Sequence, residues 1–259
     1  MNGVHRGLGP LRHTVAALVA LGAAGCATAP GRPPPVLGSI PADQAEALVR
    51  RWETQWRQFP GLRAAVDLTV VRNGRAQRTA GVLLLSPTRL RYEAITPLGL
   101  PAVVVTAGPD RLLVFSLTER KAWTARPTAE AMSRWIGVPL RPETLIRLLA
   151  GQVPPPPEGV SVRVAPGADA HVEFEQGNVR QQVWVTVEGQ PARLQLENGQ
   201  RLTATFDRTI NGQLVGLALE VPSQSLEVRL RYISGENTAP PPEAFEIVLP
   251  PGVPIEHVD

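Results

Sequence analysis

The 259-residue chain holds one cysteine, two methionines, four histidines and only 5% aromatic residues. A single cysteine excludes an intramolecular disulfide framework and makes a cysteine-rich metal site implausible. Of the histidines, His5 and His13 lie near the start and His257 near the end. Only His171 falls in a strand-like stretch, where Val172 and Phe174 take alternating positions and leave it to a surface or an edge. No two histidines are spaced to share a metal. Gly-x-Ser-x-Gly, His-Glu-x-x-His and a phosphate-cradling glycine loop are all missing. Glu173 and Glu175 share a face at strand spacing and read as the solvent side of a sheet. With no nucleophile and base pair in view, neither catalysis nor a metal or diffusible cofactor is expected. Beyond the first thirty residues no apolar run approaches the ~20 needed for a spanning helix. Charge of one sign is lacking too. The formal +3 includes Arg6 and Arg12, and from Cys26 onward 24 basic side chains face 23 acidic ones. A nucleic-acid partner would require a basic excess gathered on one face, and none is present.

What the chain has first is an ordered N-terminus. His5, Arg6, Arg12 and His13 precede an apolar stretch from Thr14 to Ala24, followed by Gly25 and Cys26. A charged region, an apolar region and small residues before a cut are the parts of an export signal, and the apolar stretch is too short to remain as a spanning helix. The run Leu21-Gly22-Ala23-Ala24-Gly25-Cys26 resembles the bacterial lipoprotein signal, whose last small residue precedes an acylated cysteine. That resemblance implies removal of residues 1–25, with diacylglycerol and an N-acyl chain on Cys26. At ~0.8 kcal/mol per buried methylene, two or three chains would hold the protein to a membrane permanently. In the lipoproteins it resembles, Asp after the cysteine favours the inner membrane; Ala27 stands there, so the outer membrane is the expected address. Residues 26–41 are rich in proline, which fixes the backbone and removes donors, and form a tether of ~3 Å per residue if extended.

From residue 42 to 259 one domain is expected. Ala45, Leu48, Val49, Trp52 and Trp56 recur at three and four residues and predict an amphipathic helix over Ala42 to Arg57. From Gly61 the period becomes two, with Leu62, Ala64, Val66, Leu68 and Val70 on one face and a hairpin signal at Asn73-Gly74. Short strands follow to Thr124. Helical segments then read over Thr128 to Ile136 and Pro142 to Ala150, the second opened by proline and closed by Gly151. Strands resume from Val160 to Ile233. About a dozen hairpin-linked strands without parallel crossovers, plus helical inserts, predict a mainly β protein with α inserts: an unclosed, half antiparallel β-barrel whose helices line the concave side. Such a sheet, partly filled by two short helices, leaves an apolar hollow able to take an acyl chain. The same positions are equally compatible with a filled core.

Two segments carry a family likeness. Leu90-Arg91-Tyr92-Glu93-Ala94-Ile95-Thr96-Pro97-Leu98-Gly99, followed by Val103, Val104 and Val105, resembles the strand, Pro-Leu-Gly turn and return strand of LolB-like outer-membrane lipoproteins in the LolA/LolB lipoprotein-localisation superfamily. Ile136-Gly137-Val138-Pro139-Leu140 and Leu145 to Gly151 are similar to that family's Gly-x-Pro segment and short helix. The likeness covers roughly residues 42–157; the stretch 237–252 looks like the terminal strand of the wider LolA-like group. The resemblance implies a helical lid over a lipid-binding cavity, and acylated lipoprotein cargo accepted from a LolA-like periplasmic carrier and inserted into outer-membrane lipid. Leu98, flanked by Pro97, Gly99 and Leu100, then corresponds to the membrane-insertion loop. Residues expected to line the cavity are Trp52, Val66, Leu68, Tyr92, Met132, Trp135, Ile136, Leu145, Leu148 and Leu149. Two other readings stay open: a lipid- or glycolipid-binding carrier of the same fold, and a structural outer-membrane lipoprotein whose edge strands dock a protein.

Overall fold

The computed structural model describes residues 40, 42–156, 160–165 and 171–258. The expected signal peptide, the acylated Cys26 and nearly all of the tether lie outside the described residues. Helix α1 (Ala42–Arg57) leads into six strands: β1 (Leu62–Arg72), β2 (Arg75–Leu85), β3 (Leu90–Ile95), β4 (Pro101–Ala107), β5 (Leu112–Ser116) and β6 (Lys121–Ala125). Helices α2 (Ala129–Trp135) and α3 (Pro142–Leu149) follow. Seven more strands then run in sequence: β7 (Arg163–Ala165), β8 (His171–Gln176), β9 (Val179–Val185), β10 (Pro191–Asn198), β11 (Arg201–Arg208), β12 (Leu214–Val221) and β13 (Leu226–Glu236). A final short strand, β14 (Ile255–His257), ends the described chain.

All the described strands form one sheet in the order β14-β6-β5-β4-β3-β2-β1-β13-β12-β11-β10-β9-β8-β7. Its outer strands, β14 and β7, do not pair with each other, so the barrel is unclosed as expected. The sequence halves meet where β1 pairs with β13. Both strands are eleven residues long, and a bulge between Ala65 and Val66 shifts their register, which raises the local twist. Every other pair is antiparallel, all of them between consecutive strands except β1–β13, but β14 lies parallel to β6, opposite Ala122, Trp123 and Thr124. One parallel pair thus stands at an edge of the otherwise antiparallel sheet.

The C-terminal stretch also departs from expectation. Residues 244–252 do not form a strand. A 3-10 turn at Pro242–Phe245 is held by Arg91, whose Nη1 donates to the carbonyls of Ala244 and Glu246 at 3.1 and 2.9 Å. Ile247, Leu249 and Val253 then pack onto Leu113, Phe115 and Ala122, on the convex face. This covering explains why all five residues of β5 are buried: Leu112 and Val114 join the main core, and Leu113 and Phe115 need an outer partner.

Inside the curve, the main core joins the inner residues of both sheet halves to the helices. Trp52 of α1 is buried, and its Nε1 donates to the Gly189 carbonyl at 3.0 Å. Arg147 of α3 donates to Glu53 of α1 at 2.8 Å and lies over the Trp56 ring, tying the helices together.

Candidate acyl-chain cavity and exposed turn

Helix α2 begins because Thr128 Oγ1 accepts from the Ala131 N–H at 3.2 Å, satisfying a free helix donor. Helix α3 begins at Pro142, whose missing N–H costs nothing in the first turn. Its end is closed by the Gly151 N–H donating to Leu148 O at 2.9 Å and the Gln152 N–H to Arg147 O at 2.8 Å. Two strand side chains fasten that end to the sheet. Tyr232 of β13 donates its hydroxyl to Leu149 O, and Arg208 of β11 donates Nη2 to Gly151 O at 2.6 Å. Burial pushes the Tyr232 phenol up, so the hydroxyl stays a donor across the physiological range.

Between these helices and the sheet lies a cavity of about 210 Å³. Its lining comes from β1 to β4 (Leu68, Val70, Leu83, Leu90, Tyr92, Val103 and Val105), from the α2–α3 region (Trp135, Ile136, Val138, Leu145 and Leu149) and from Leu217, Leu219, Val228 and Leu230 of β12 and β13. The only polar side-chain atoms among these residues are the Tyr92 hydroxyl and the Trp135 indole nitrogen. Tyr92 shares its hydroxyl with Thr79 Oγ1 at 2.9 Å, and burial raises its pKa. The Tyr92 ring lies across Gly81, where an added Cβ would stand 2.5 Å from Cε2, so the glycine makes room for it. Apolar cavities of about 150 Å³ already stay dry and admit a benzene-sized molecule. This one is larger, opens to the surface and is lined almost wholly by apolar side chains.

Six of the ten residues expected to line the hollow do so: Leu68, Tyr92, Trp135, Ile136, Leu145 and Leu149. Trp52, Val66, Met132 and Leu148 do not. They are 3% exposed or less and belong to the packed core. A helical stripe or strand alternation gives the inward direction of a side chain but not the depth at which packing ends. Alternation along β4, β12 and β13 did carry a signal for the residues missed there, Val103, Val105, Leu217, Leu219, Val228 and Leu230.

The second predicted feature sits at the same end of the strands as the β1–β2 hairpin. The Thr96 N–H donates to Leu100 O at 2.8 Å and the Gly99 N–H to Thr96 O at 2.9 Å, closing a tight turn over Pro97 and Leu98. Gly99 has φ +79°, a left-handed conformation natural to glycine. Held this way, Leu98 is 86% exposed and Leu100 63% exposed. Cys26 lies outside the described residues.

His171, expected at a surface or an edge, lies on β8 beside the outermost strand β7 and is half-buried, with its ring centroid 4.8 Å from that of Trp184 and its Nε2 2.8 Å from Gln182 Nε2. Glu173, expected to face solvent, accepts from Arg180 Nε at 2.8 Å and is also half-buried. Among the described residues no group of three or more His, Cys, Asp or Glu side chains could hold a metal. Nor is any described helix long and apolar enough to cross a membrane.

A putative outer membrane lipoprotein-sorting protein domain from Vibrio parahaemolyticus superposes with a TM-score of 0.54 at 11% identity, over 79% of this chain and 97% of that one. The two chains share a fold. A DUF1329 family protein from Desulfovibrio piger is similar with a TM-score of 0.55 at 12% identity, covering 80% of this chain and 98% of the other. A LolA superfamily protein from Nitrosomonas europaea gives 0.49 at 10% identity, over 78% and 97% of the two chains. No protein-family model matches the chain, and no curated protein sequence does. The unclosed half-barrel expected from the sequence is the fold found, and at 11–12% identity the first two likenesses speak to fold alone.

Proposed function

We propose that this protein is an outer-membrane lipoprotein that takes the acyl chains of lipid-modified proteins into the cavity under α2 and α3 and releases them into the membrane at the Leu98 turn. The observation that carries this reading is the apolar cavity itself, roofed by two short helices and lined from both halves of the sheet. A core meant only for stability would be filled at that point, because each empty volume forfeits dispersion contacts. Exposed Leu98 and Leu100 supply the second half of the function. Burying one leucine side chain in lipid contributes ~2 kcal/mol, enough for a transient touch on a membrane and too little for attachment. Attachment would fall to diacylglycerol and an N-acyl chain on Cys26, the chain's only cysteine, with its body facing the periplasm. Cargo would be an acylated lipoprotein delivered by a LolA-like carrier; nothing in this role calls for catalysis.

The test uses the lipidated protein, a fluorescent diacylated peptide and vesicles of outer-membrane phospholipid. Leu68→Trp, which fills the cavity from β1, is expected to weaken peptide binding at least tenfold. Leu98→Asp is expected to bind peptide normally and to slow its transfer to vesicles at least tenfold. Equal peptide binding by Leu68→Trp and the unaltered protein would remove the cavity from the function. Transfer unaffected by Leu98→Asp would leave a lipid carrier of the same fold that inserts nothing.

A further inference from the structure

A second cavity, of about 270 Å³, has the opposite chemistry. It lies at the other end of the strands, where α1 enters β1 and the β9–β10 and β11–β12 hairpins turn. Five carboxamides, Gln55, Gln58, Gln152, Gln190 and Asn237, line it together with the Arg208 guanidinium, and the Phe59 ring forms part of one wall. Phe59 is fixed by stacking on Trp56, with ring centroids 5.2 Å apart and planes 16° from parallel. Ala150 lines this pocket and Leu149 lines the apolar cavity, so neighbouring residues at the end of α3 border both.

Two observations show that the pocket's polar groups are incompletely satisfied. Gln152 Oε1 and Gln190 Oε1 are buried acceptors without a hydrogen-bond partner. Leaving such an atom unpaired forfeits its hydration with nothing in return, so a native structure keeps one where something else supplies the donor. The second observation is Arg208. Its Nε, Nη1 and Nη2 donate to the carbonyls of Pro191, Gly212 and Gly151 at 3.2, 3.1 and 2.6 Å. Guanidinium has five N–H groups, so one on each terminal nitrogen remains. Burial pushes its pKa down to about 10, partly offset by Tyr232, and it is still a cation at neutral pH. No carboxylate among the described residues is paired with it.

We propose that this pocket binds a small hydroxylated oxyanion, a phosphate or carboxylate with neighbouring hydroxyl groups, such as glycerol phosphate. The oxyanion accepts from the two remaining Arg208 N–H groups in the forked geometry that suits guanidinium. The hydroxyls donate to Gln152 Oε1 and Gln190 Oε1, and the ligand's carbon face lies on Phe59. The requirement is specific in both directions: a simple anion leaves the two amide oxygens unpaired, and a neutral polyol leaves the guanidinium without a counter-charge. The inference stands apart from the acyl-chain cavity and holds or fails independently of it.

Glycerol phosphate can reach the pocket as a free solute or as the head group of phosphatidylglycerol. Calorimetric titration of the full-length protein with sn-glycerol 3-phosphate addresses the first source. Calorimetric titration with monomeric dihexanoyl phosphatidylglycerol, against dihexanoyl phosphatidylcholine, addresses the second. Two variants read the site. Arg208→Gln removes the cation, and Gln190→Leu removes one unpaired acceptor at nearly constant volume. The Leu variant is expected to melt at or above the temperature of the unaltered protein, since a buried unsatisfied oxygen is gone, so its binding loss is not a folding loss. Saturable binding of the free phosphate, weakened at least tenfold in both variants, supports the site and identifies a soluble ligand. Binding to the short-chain phosphatidylglycerol alone, with the same loss in both variants, supports it and identifies a head group. Absence of saturable binding to either probe, or binding that Gln190→Leu leaves unchanged, overturns it.

Discussion

Strands β8–β11 and strands β1–β4 alternate apolar and polar residues in much the same way, yet the first inner face is packed solid and the second lines a cavity. Val172, Val183, Val185, Leu194, Ala204 and Phe206 are completely buried. Leu68, Val70, Tyr92 and Val103, on equivalent inward positions, remain partly open. The difference lies in what covers each face. Sixteen-residue α1 reaches the β9–β10 end through Trp52, and the segment after α3 lies on β9, where Gln181 Nε2 donates to Pro154 O at 3.0 Å. Over β1–β4 the cover is α2 and α3, seven and eight residues long. A helix of that length spans ~12 Å, against ~36 Å for an eleven-residue strand. Two such helices cannot roof the strands they face. Along β1 the filling stops after Val66, which is 1% exposed, and the cavity begins at Leu68.

The largest expected contrast follows directly. Phe206→Ala should lose ~3–5 kcal/mol of stability, the ordinary cost of emptying a tightly packed aromatic site. Leu68→Ala should lose less than ~1 kcal/mol, because it widens a space that already exists and strands few new contacts. Denaturant midpoints compared at equal slope measure both. Equal losses would mean that Leu68 is packed as tightly as Phe206 and that the two faces do not differ.

A smaller effect tests the fastening of the roof. Tyr232→Phe removes the hydroxyl that donates to Leu149 O and leaves that carbonyl poorly satisfied, for an expected loss of ~1–2 kcal/mol. Hydrogen exchange should quicken at the C-terminal amides of α3 and stay unchanged in α1. Uniform acceleration across both helices would show that the bond supports the whole fold instead of the roof.

How much of this contrast the sequence displays depends on the distance over which each feature is decided. The stripe of α1, the alternation of β1 and β13, and the proline and glycine that bracket α3 are local patterns, and each yields the element found. The exposed Leu98 is equally local, since Pro97 and Gly99 dictate the turn. Trp52 is different: it is core and not cavity lining because its indole meets Gly189, 137 residues away. The same holds for Leu113 and Phe115, whose outer partners, Ile247 and Leu249, come from a C-terminal stretch that reads as strand and instead lies irregularly across the convex face. Depth, cover and pairing between distant segments leave no periodic trace. The polar pocket was missed for the same reason, because its glutamines come from α1, the end of α3 and a hairpin, and meet only in three dimensions.

The smallest expected effect lies at the edge of the solid region, where the Arg180 guanidinium donates to Glu173 and holds its carboxyl below the usual range, with His171 adding to the effect. The folded protein therefore binds fewer protons at Glu173 than the unfolded chain between the lowered value and the ordinary ~4.3. Stability from this pair is fully present above the ordinary value and disappears as pH falls through the lowered one. Glu173→Gln should accordingly cost less than ~1 kcal/mol at pH 7, the range of solvent-screened pairs, and nothing in strong acid, where the unaltered carboxyl is itself neutral. Phe206→Ala involves no titrating group and should cost the same at both pH values as long as the fold persists. A Glu173→Gln loss that is large and independent of pH would show that the side chain serves by packing, and the solid face would then extend to the sheet edge instead of ending in a solvated ion pair.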